Sequence, residues 1–313
     1  MSDTEEIDGD VYVSPRYLAG STFIGDPALE PLLALSFDLR HDDLGNAYLT
    51  APDHRVRLGF LPEGDDDGLW RINAHQDRFG PPAWGVSFND TCPTEFVTAF
   101  TTALAQAYQD GPEHYLAQPD PSDPELAAFS AVVPLVNRGW EIQPGRWGVL
   151  ELQTPDGMAG LEYATGRLDP EKELTTLEAR WYMWGGPKNG YARWYATAST
   201  NTPIPLVKAI TQSVSDPAPL PRWKDAMMRG LREHALLVPV TPPPPPVPTP
   251  LDVQRTAPPP AARADHAQRP ALEHYDGPVG RPSRPAIRPT PLTRPTPSDR
   301  ELPSGPARTA VLP

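Results

Sequence analysis

WGVSFNDTCPTEFVTAFTTALA, at residues 84–105, contains the pattern of a strand followed by that of a helix. Trp84, Val86 and Phe88 alternate with small or polar residues, which predicts a strand with one buried face. Pro93 is suited to the start of a helix, because its fixed φ matches the first helical turn. Apolar residues then recur every three to four positions, which is the spacing of one buried helix face. The stretch therefore predicts a strand that leads into an amphipathic helix.

A second stretch, WYATASTNTPIPLVKAITQSVS at residues 194–215, repeats this order of strand, proline and apolar helix face. It lies 110 residues further along the chain and aligns with the first stretch without a gap. Upstream, residues 31–60 align with residues 134–163 at a shift of 103, and seven of these thirty positions are identical. Two ungapped blocks in the same order indicate an internal duplication, with about seven residues added in the loop between the blocks.

The duplication predicts an α+β fold made of two tandem repeats. Each repeat is expected to be a roughly four-stranded antiparallel sheet backed by a C-terminal helix, and the pattern leaves open whether the two sheets join. The proline-rich C-terminus predicts a disordered tail. The expected organisation is a disordered N-terminus at 1–10, a first repeat at 11–109, a linker at 110–123, a second repeat at 124–216, an amphipathic helix at 217–240 and the tail at 241–313.

Charge divides the chain into an acidic body and a weakly basic tail. Residues 1–240 carry a net charge of −16, whereas the last 73 residues carry +3. An acidic body argues against a coat for nucleic acid, because phosphate binding requires cationic surface, and against adsorption to anionic membranes. The tail holds 21 prolines and repeats Arg-Pro five times. Such a segment suits either docking on an aromatic or acidic partner surface or service as an unstructured solubilising tether.

Location is indicated by cysteine usage and by the N-terminus. The single cysteine, Cys92, excludes a disulfide within one chain and fits a reducing compartment. No apolar run approaches the roughly 20 residues that span a bilayer. The first residues, MSDTEEIDGD, lack the basic start and apolar core of a signal peptide. The sequence therefore predicts a cytoplasmic protein without a membrane partner.

Three segments, VSPRYLAG, GNAYLTAPDHRVRLGFLPEGDDDGLW and PPAWGVSFNDTCPTEFVTAFTTALA, resemble an actinobacterial family known as domain of unknown function 317. The resemblance is strong over residues 11–108. Over the second repeat it is loose, because the apolar spacing is kept while many polar positions differ. Members of this family often carry the domain in tandem, so the resemblance implies a two-repeat plan and an actinobacterial host. It transfers no activity and no catalytic or binding residue.

Motifs for catalysis, metals or cofactors are absent from the sequence. The seven histidines form no His-Glu-x-x-His pair, and no glycine-rich loop is followed by Lys-Ser/Thr. The acidic run at residues 65–67 lacks the alternating ligands and the closing Glu of a calcium loop. Cys92 lies near a helix N-terminus, where the pKa of a thiol can fall, but is interpreted as structural. We therefore expect a non-enzymatic protein that uses no metal and no cofactor.

Strand alternation directs a set of basic and aromatic residues away from the core in both repeats. Single-strand binders use such residues on an open sheet face to contact phosphates and to stack on bases. The same residues also suit a solvated sheet face or a seam between the repeats. The candidate interaction face consists of Arg55, Arg57, Arg71, His75, Arg180, Tyr182, Trp184, Arg193 and Tyr195.

The function expected from these observations is that of an interaction module whose partner is another protein. The absence of catalytic motifs, the duplication and the proline-rich tail favour this interpretation. The alternative is single-stranded nucleic-acid binding through the arginine and aromatic face of the sheets. The acidic net charge of the body makes nucleic acid the second candidate.

Overall fold

The structure, a computed structural model, describes most of the chain up to residue 240. The described ranges are 9–62, 69–116, 124–144, 148–176, 178–188 and 191–240, with side chains throughout except at 124–127. The chain divides into two compact units, Met1–Pro245 and Pro246–Pro313, and all described residues belong to the first. The predicted tail at 241–313, most of the predicted N-terminal segment and residues 117–123 of the predicted linker lie outside the described residues.

The first repeat has the predicted order of a helix, a series of strands and a second helix. A strand and a short 3-10 turn precede it, and a one-turn helix follows it. The elements are β1 (Asp10–Ser14), the 3-10 turn (Arg16–Leu18), α1 (Asp26–Leu33), β2 (Asp38–His41), β3 (Ala47–Thr50), β4 (Val56–Phe60), β5 (Trp70–His75), β6 (Pro82–Phe88), α2 (Thr94–Asp110) and α3 (Pro112–Tyr115).

The second repeat has the same order, with one additional short helix between its third and fourth strands. Its elements are α4 (Pro124–Val136), β7 (Glu141–Gln143), β8 (Val149–Gln153), β9 (Ala159–Ala164), α5 (Pro170–Thr175), β10 (Trp181–Gly185), β11 (Trp194–Ala198) and α6 (Ile204–Ser215). The mixed α+β fold with antiparallel sheets and two tandem repeats is therefore confirmed.

The two repeats form one sheet, which the sequence had left open. Strand β6 of the first repeat pairs antiparallel with β11 of the second, so ten strands run continuously. Ser87 pairs with Thr197, which is its own equivalent at the shift of 110 residues. A pseudo-twofold axis therefore passes through this pair. The strand order is β2-β3-β4-β5-β6-β11-β10-β9-β8-β7.

The upstream duplication is visible in the strand register. Leu49 pairs with Leu58 in the first repeat, and Leu152 pairs with Leu161 in the second, at the predicted shift of 103 residues. All four leucines are buried. The apolar face of each strand is therefore placed in the core by the same register in both copies.

Helices cover one face of the sheet. α2 packs against α1 and α6, and α6 packs against α4. Phe96, Phe100 and Leu104 of α2 are fully buried, as the spacing predicted, and the ring of Phe100 lies edge-on to Trp84 at 6.2 Å. α2 ends at Asp110 because Gly111 adopts φ +123°, a backbone conformation that favours glycine. We call the opposite side of the sheet the open face.

Each repeat is completed by a tyrosine from outside its own sheet segment. Tyr115 of α3, within the predicted linker, accepts at its carbonyl a hydrogen bond from Trp84 Nε1 at 2.8 Å and donates its hydroxyl to Asp53 at 2.9 Å. Tyr17, which precedes the first repeat, makes the same two contacts with the second repeat. Its carbonyl accepts from Trp194 Nε1 at 2.8 Å, and its hydroxyl donates to Asp156 at 2.8 Å. The first repeat thus takes its tyrosine from the segment that follows it, and the second repeat takes its tyrosine from the segment before the first repeat.

The segment predicted as one amphipathic helix, residues 217–240, has a different structure. It forms β12 (Leu220–Trp223), a 3-10 turn (Lys224–Ala226), α7 (Arg229–Arg232) and β13 (Leu236–Pro239). β12 and β13 flank β1 in a separate three-stranded sheet. The helical spacing was misleading because Arg222 is buried and forms a two-pronged ion pair with Glu95 of α2 at 2.7 Å. Leu220 and Arg222 both point to the interior, as alternate residues of a strand do. The pattern is hard to recognise in the sequence because one of the two buried residues is charged.

Candidate functional site

The strand register places one line of residues across the open face, at one position in each of the ten strands. Each neighbouring pair in this line consists of direct cross-strand partners. The line runs through Arg40, Tyr48, Gly59, Arg71, Ser87, Thr197, Tyr182, Glu162, Glu151 and Gln143. Its charged members in the first repeat are arginines, and those in the second repeat are glutamates. The pseudo-twofold axis therefore separates a basic half from an acidic half.

Aromatic side chains concentrate in the acidic half. The rings of Tyr182 and Tyr195 stack with centroids 6.2 Å apart, and the Arg193 guanidinium lies 4.0 Å from the centroid of the Trp184 ring. Trp184 is buried against Gly160 of the neighbouring strand, where a Cβ would lie 2.6 Å from the indole. A glycine at this cross-strand position leaves the space in which the indole lies flat on the sheet.

A groove on the same half is lined by acidic and apolar groups from β8, β9, β10 and the adjoining loops. We call it the acidic groove. Its volume is about 490 Å³, and its lining residues are Val149, Glu162, Ala164, Leu168, Glu178, Ala179 and Tyr182. Burial raises the pKa of the Tyr182 hydroxyl, and Glu162 raises it further, while Arg193 acts in the opposite direction. Tyr182 is therefore a neutral hydroxyl donor at neutral pH.

Six of the nine predicted face residues lie on the open face. Arg57 and Arg71 are exposed in the basic half. Tyr182, Trp184, Arg193 and Tyr195 lie together in the acidic half. The predicted set is thus split, because Arg57 and Arg71 lie on one side of the pseudo-twofold axis, and the aromatic cluster with Arg193 lies on the other.

Two predicted members of the first repeat lie elsewhere. The register shifts between Ala74 and His75, and the His75 side chain is buried with Nδ1 3.0 Å from the carbonyl oxygen of Gly80. Arg55 precedes β4 and lines a depression at the end of the sheet with Asp53 and Arg78. Simple alternation fails at His75 because the strand register is irregular there. It fails at Arg55 because this residue lies before the first residue of β4.

Arg180 was also predicted on the face, but its guanidinium is engaged by the protein. It donates to Thr200 Oγ1 at 3.1 Å and to the carbonyl oxygens of Gly166, at 2.8 Å, and Ala164. Glu173 of α5 accepts from the same Thr200 hydroxyl at 2.6 Å. This network ties the loop after β9 and α5 to the loop after β11, so Arg180 has a structural role.

The sequence missed residues that complete the acidic groove. Val149 and Leu168 contribute its apolar surface, and Leu168 lies in a loop where no periodic pattern applies. Glu151 is also unpredicted, although it occupies the open-face position directly opposite Glu162. The alternation of apolar and polar residues along β8 was the available signal for Glu151.

Other chemistry is not assembled among the described residues. Cys92 is fully buried, and this burial raises the pKa of its thiol well above the usual value, with Glu95 adding to the effect. Within the described ranges, no group of three His, Cys, Asp or Glu side chains is placed to hold a metal ion. In the same part of the chain, no helix has the length and apolar character needed to cross a membrane.

Comparison with known proteins finds one family model that matches a segment of each repeat. Residues 50–109 and 153–220 each match the family model described as SPDY, a domain of unknown function (DUF317). The two matches begin at equivalent positions, at the ends of β3 and β8, and each includes the helix that follows the sheet segment. No curated protein and no solved structure matches the chain.

Proposed function

Because the chain carries two tandem copies of the domain of unknown function 317, we propose that it binds another protein, without catalysis, through the open face of its second copy. The observation that supports this proposal is the acidic groove beside the Tyr182–Tyr195 stack. Among the described residues, α1, α2, α4 and α6 cover the other face, and α5 contacts the open face at Gly85 through Leu174. The groove is therefore accessible to an extended partner segment.

The chemistry of the groove favours a cationic segment of the partner. Glu162 and Glu178 line it together with Tyr182, and Glu178 is exposed. An arginine in this position could form charge-assisted hydrogen bonds with a carboxylate. Its planar guanidinium could also lie on a tyrosine ring, as Arg193 already lies on Trp184. Arg-containing segments thus fit the groove better than acidic or purely apolar ones.

Single-stranded nucleic acid is the second candidate, and the exposed Arg57 and Arg71 support it. Stacking residues and phosphate-binding residues must act together along one strand of nucleic acid. Here the stacked tyrosines are next to Glu162, which repels phosphate, and the guanidinium of nearby Arg193 lies on the Trp184 ring. The exposed Arg57 and Arg71 lie across the pseudo-twofold axis. Protein binding is therefore the better-supported function.

Selection of displayed random peptides by the full-length chain tests the protein-binding proposal. The same library is passed over a variant that carries Glu162→Gln, Glu178→Gln and Tyr182→Ala. We expect peptides enriched on the wild type to be rich in arginine and to lose enrichment on the variant, because the variant removes both carboxylates and a ring. The matched control is Arg57→Ala with Arg71→Ala, which leaves the acidic groove intact. Equal enrichment on wild type and groove variant would refute the proposal.

A fluorescence-anisotropy titration with labelled single- and double-stranded oligonucleotides, at two salt concentrations, separates the second candidate from the first. The protein-binding proposal predicts no salt-sensitive preference for single strands. Nucleic-acid binding predicts such a preference, because bound phosphates release counterions, and predicts its loss in Arg57→Ala with Arg71→Ala. Micromolar single-strand binding that depends on these arginines would favour the second candidate.

A further inference from the structure

The small sheet formed by β12, β1 and β13 has an uncovered apolar face. Its inner face is buried through Val11 and Val13. The register places Tyr12 between Pro221 and Val238 on the outer face, with Trp223 one step further along β12. The large side chains exposed on and beside this outer face, by 40% to 65%, are Tyr12, Phe23, Ile24, Trp223, Leu236 and Val238.

A groove runs over this face and ends at the last described residue. Its volume is about 360 Å³, and Tyr12, Phe23 and Trp223 supply aromatic walls. Val240 lines the groove and donates its backbone N–H to the carbonyl oxygen of Asp10 at 2.9 Å. Arg222 also lines the groove, and its ion pair with Glu95 fixes this part of the lining to α2.

Phe23 is held at this groove in an unfavourable backbone conformation. Its φ is +57°, in the left-handed region where bulky side chains are rare, and 58% of the residue is exposed. Contiguous exposed apolar surface of this kind generally marks a binding site. An exposed ring that the backbone holds at such a cost points to an occupant of the groove.

We propose that the occupant is the chain's own proline run, residues 241–245, which follows Val240 directly. The sequence there is TPPPP. Proline runs adopt the polyproline II helix, which docks on aromatic grooves and loses little entropy on binding. Prolines have no N–H to satisfy, while their carbonyls accept hydrogen bonds from donors such as the Trp223 indole and the Tyr12 hydroxyl.

The dimensions of the sheet agree with this occupant. The distance across the small sheet, from β13 over β1 to β12, is two strand spacings, or about 10 Å. Five residues of polyproline II span about 15 Å. A run that starts at Val240, beside β1 and β13, therefore reaches Trp223 on β12 without a connecting loop.

Hydroxyl-radical footprinting of the full-length chain tests the proposal. It compares wild type with a variant that carries Pro242→Ser, Pro243→Ser, Pro244→Ser and Pro245→Ser. We expect oxidation of Tyr12 and Trp223 to rise several-fold in the variant, because their covering segment no longer holds the polyproline conformation. Oxidation of the fully exposed Tyr191 serves as the internal reference. Equal oxidation of Trp223 in the two proteins would overturn the proposal.

Two controls identify the occupant. Serine substitution of Pro282, Pro285, Pro289 and Pro295, in the Arg-Pro repeats, must leave Trp223 oxidation unchanged. A synthetic peptide with the sequence of residues 239–248, added in excess to the Pro→Ser variant, must restore protection, which a misfolded small sheet would not allow. Protection of wild-type Trp223 that disappears on dilution would assign the groove to a second copy of the chain and overturn the proposal.

Discussion

The two halves of the ten-stranded sheet are alike on the helix-covered face and different on the open face. On the covered face, Phe60 and Trp70 have ring centroids 4.5 Å apart, and the equivalent Tyr163 and Trp181 have the same separation. On the open face, Ser87 and Thr197 both carry a hydroxyl, but five other equivalent pairs on the middle strands and their neighbours differ in chemistry. These pairs are Arg57 and Gly160, Gly59 and Glu162, Arg71 and Tyr182, Asn73 and Trp184, and Gly85 and Tyr195.

This difference shows which face determines the fold. Core side chains interdigitate at close-packed density, so a change at one position disturbs several neighbours. Open-face side chains are constrained mainly by strand alternation, and their chemistry can change while the sheet stays the same. The duplicated fold thus combines a similar core with different open faces in the two copies. Within the described ranges, the acidic groove and the aromatic cluster lie on the second copy.

The largest expected effect concerns the shared core. Trp84→Phe and Trp194→Phe each remove an indole whose Nε1 donates to a tyrosine carbonyl, and each leaves a void. We expect each substitution to lower the free energy of unfolding by about 2–3 kcal/mol, measured by urea denaturation of the full-length chain. Equal losses within error are expected because the two sites have the same contacts.

Trp223→Phe is the matched control, since Trp223 is half exposed and lies outside the ten-stranded sheet. We expect it to change the free energy of unfolding by less than about 1 kcal/mol. A loss at Trp84 that is much larger than the loss at Trp194 would show that the cores of the two copies are not energetically equivalent.

A smaller effect concerns one pair of equivalent positions on the open face. Gly160→Ala places a Cβ 2.6 Å from the Trp184 indole, so the ring must move off the sheet. We expect a loss of about 1–3 kcal/mol in the free energy of unfolding. Arg57→Ala, at the equivalent position of the first repeat, is expected to change it by no more than about 0.5 kcal/mol, because the side chain is exposed.

Intrinsic Trp fluorescence checks the cause of this difference. The Gly160→Ala spectrum should shift to longer wavelength as Trp184 becomes more exposed, whereas the Arg57→Ala spectrum should match wild type. If Gly160→Ala changes neither the free energy of unfolding nor the fluorescence spectrum, the Trp184 indole does not pack on the β9 backbone.

Local patterns in the sequence predicted the strands of the large sheet, the duplication and the helix faces, because alternation and helical spacing are set by residues a few positions apart. They failed for β12 and β13, which were predicted as part of a helix. The contacts that local patterns cannot encode connect residues far apart in the chain. The pairing of Ser87 with Thr197 and the bond from Trp194 to Tyr17 join residues at least 110 positions apart. The split of the candidate site follows from the first of these contacts, since it sets which half of the sheet each group occupies.

The two tyrosines that contact Trp84 and Trp194 give the smallest effect. Tyr17→Phe and Tyr115→Phe each remove a hydroxyl that donates to an aspartate, and we expect each to cost about 1 kcal/mol at pH 7. In the folded protein, burial raises the pKa of both hydroxyls, and the neighbouring aspartates raise it further. Because the unfolded value is near 10, this contribution is complete below about pH 10 and is lost as the pH rises toward the folded values.

A variant that carries both Tyr17→Phe and Tyr115→Phe tests this dependence of stability on pH. Its free energy of unfolding is compared with that of the wild type by urea denaturation between pH 8 and pH 11. The wild type should lose stability above about pH 10, and the double variant should lose less, because two of the hydroxyls that oppose ionisation in the fold are gone. Tyr191→Phe, which changes a fully exposed side chain, should reproduce the wild-type profile. If the two single variants differ in stability, the tyrosine hydroxyl is more important to one copy than to the other. Parallel profiles for wild type and the double variant would show that neither hydroxyl is held by its aspartate.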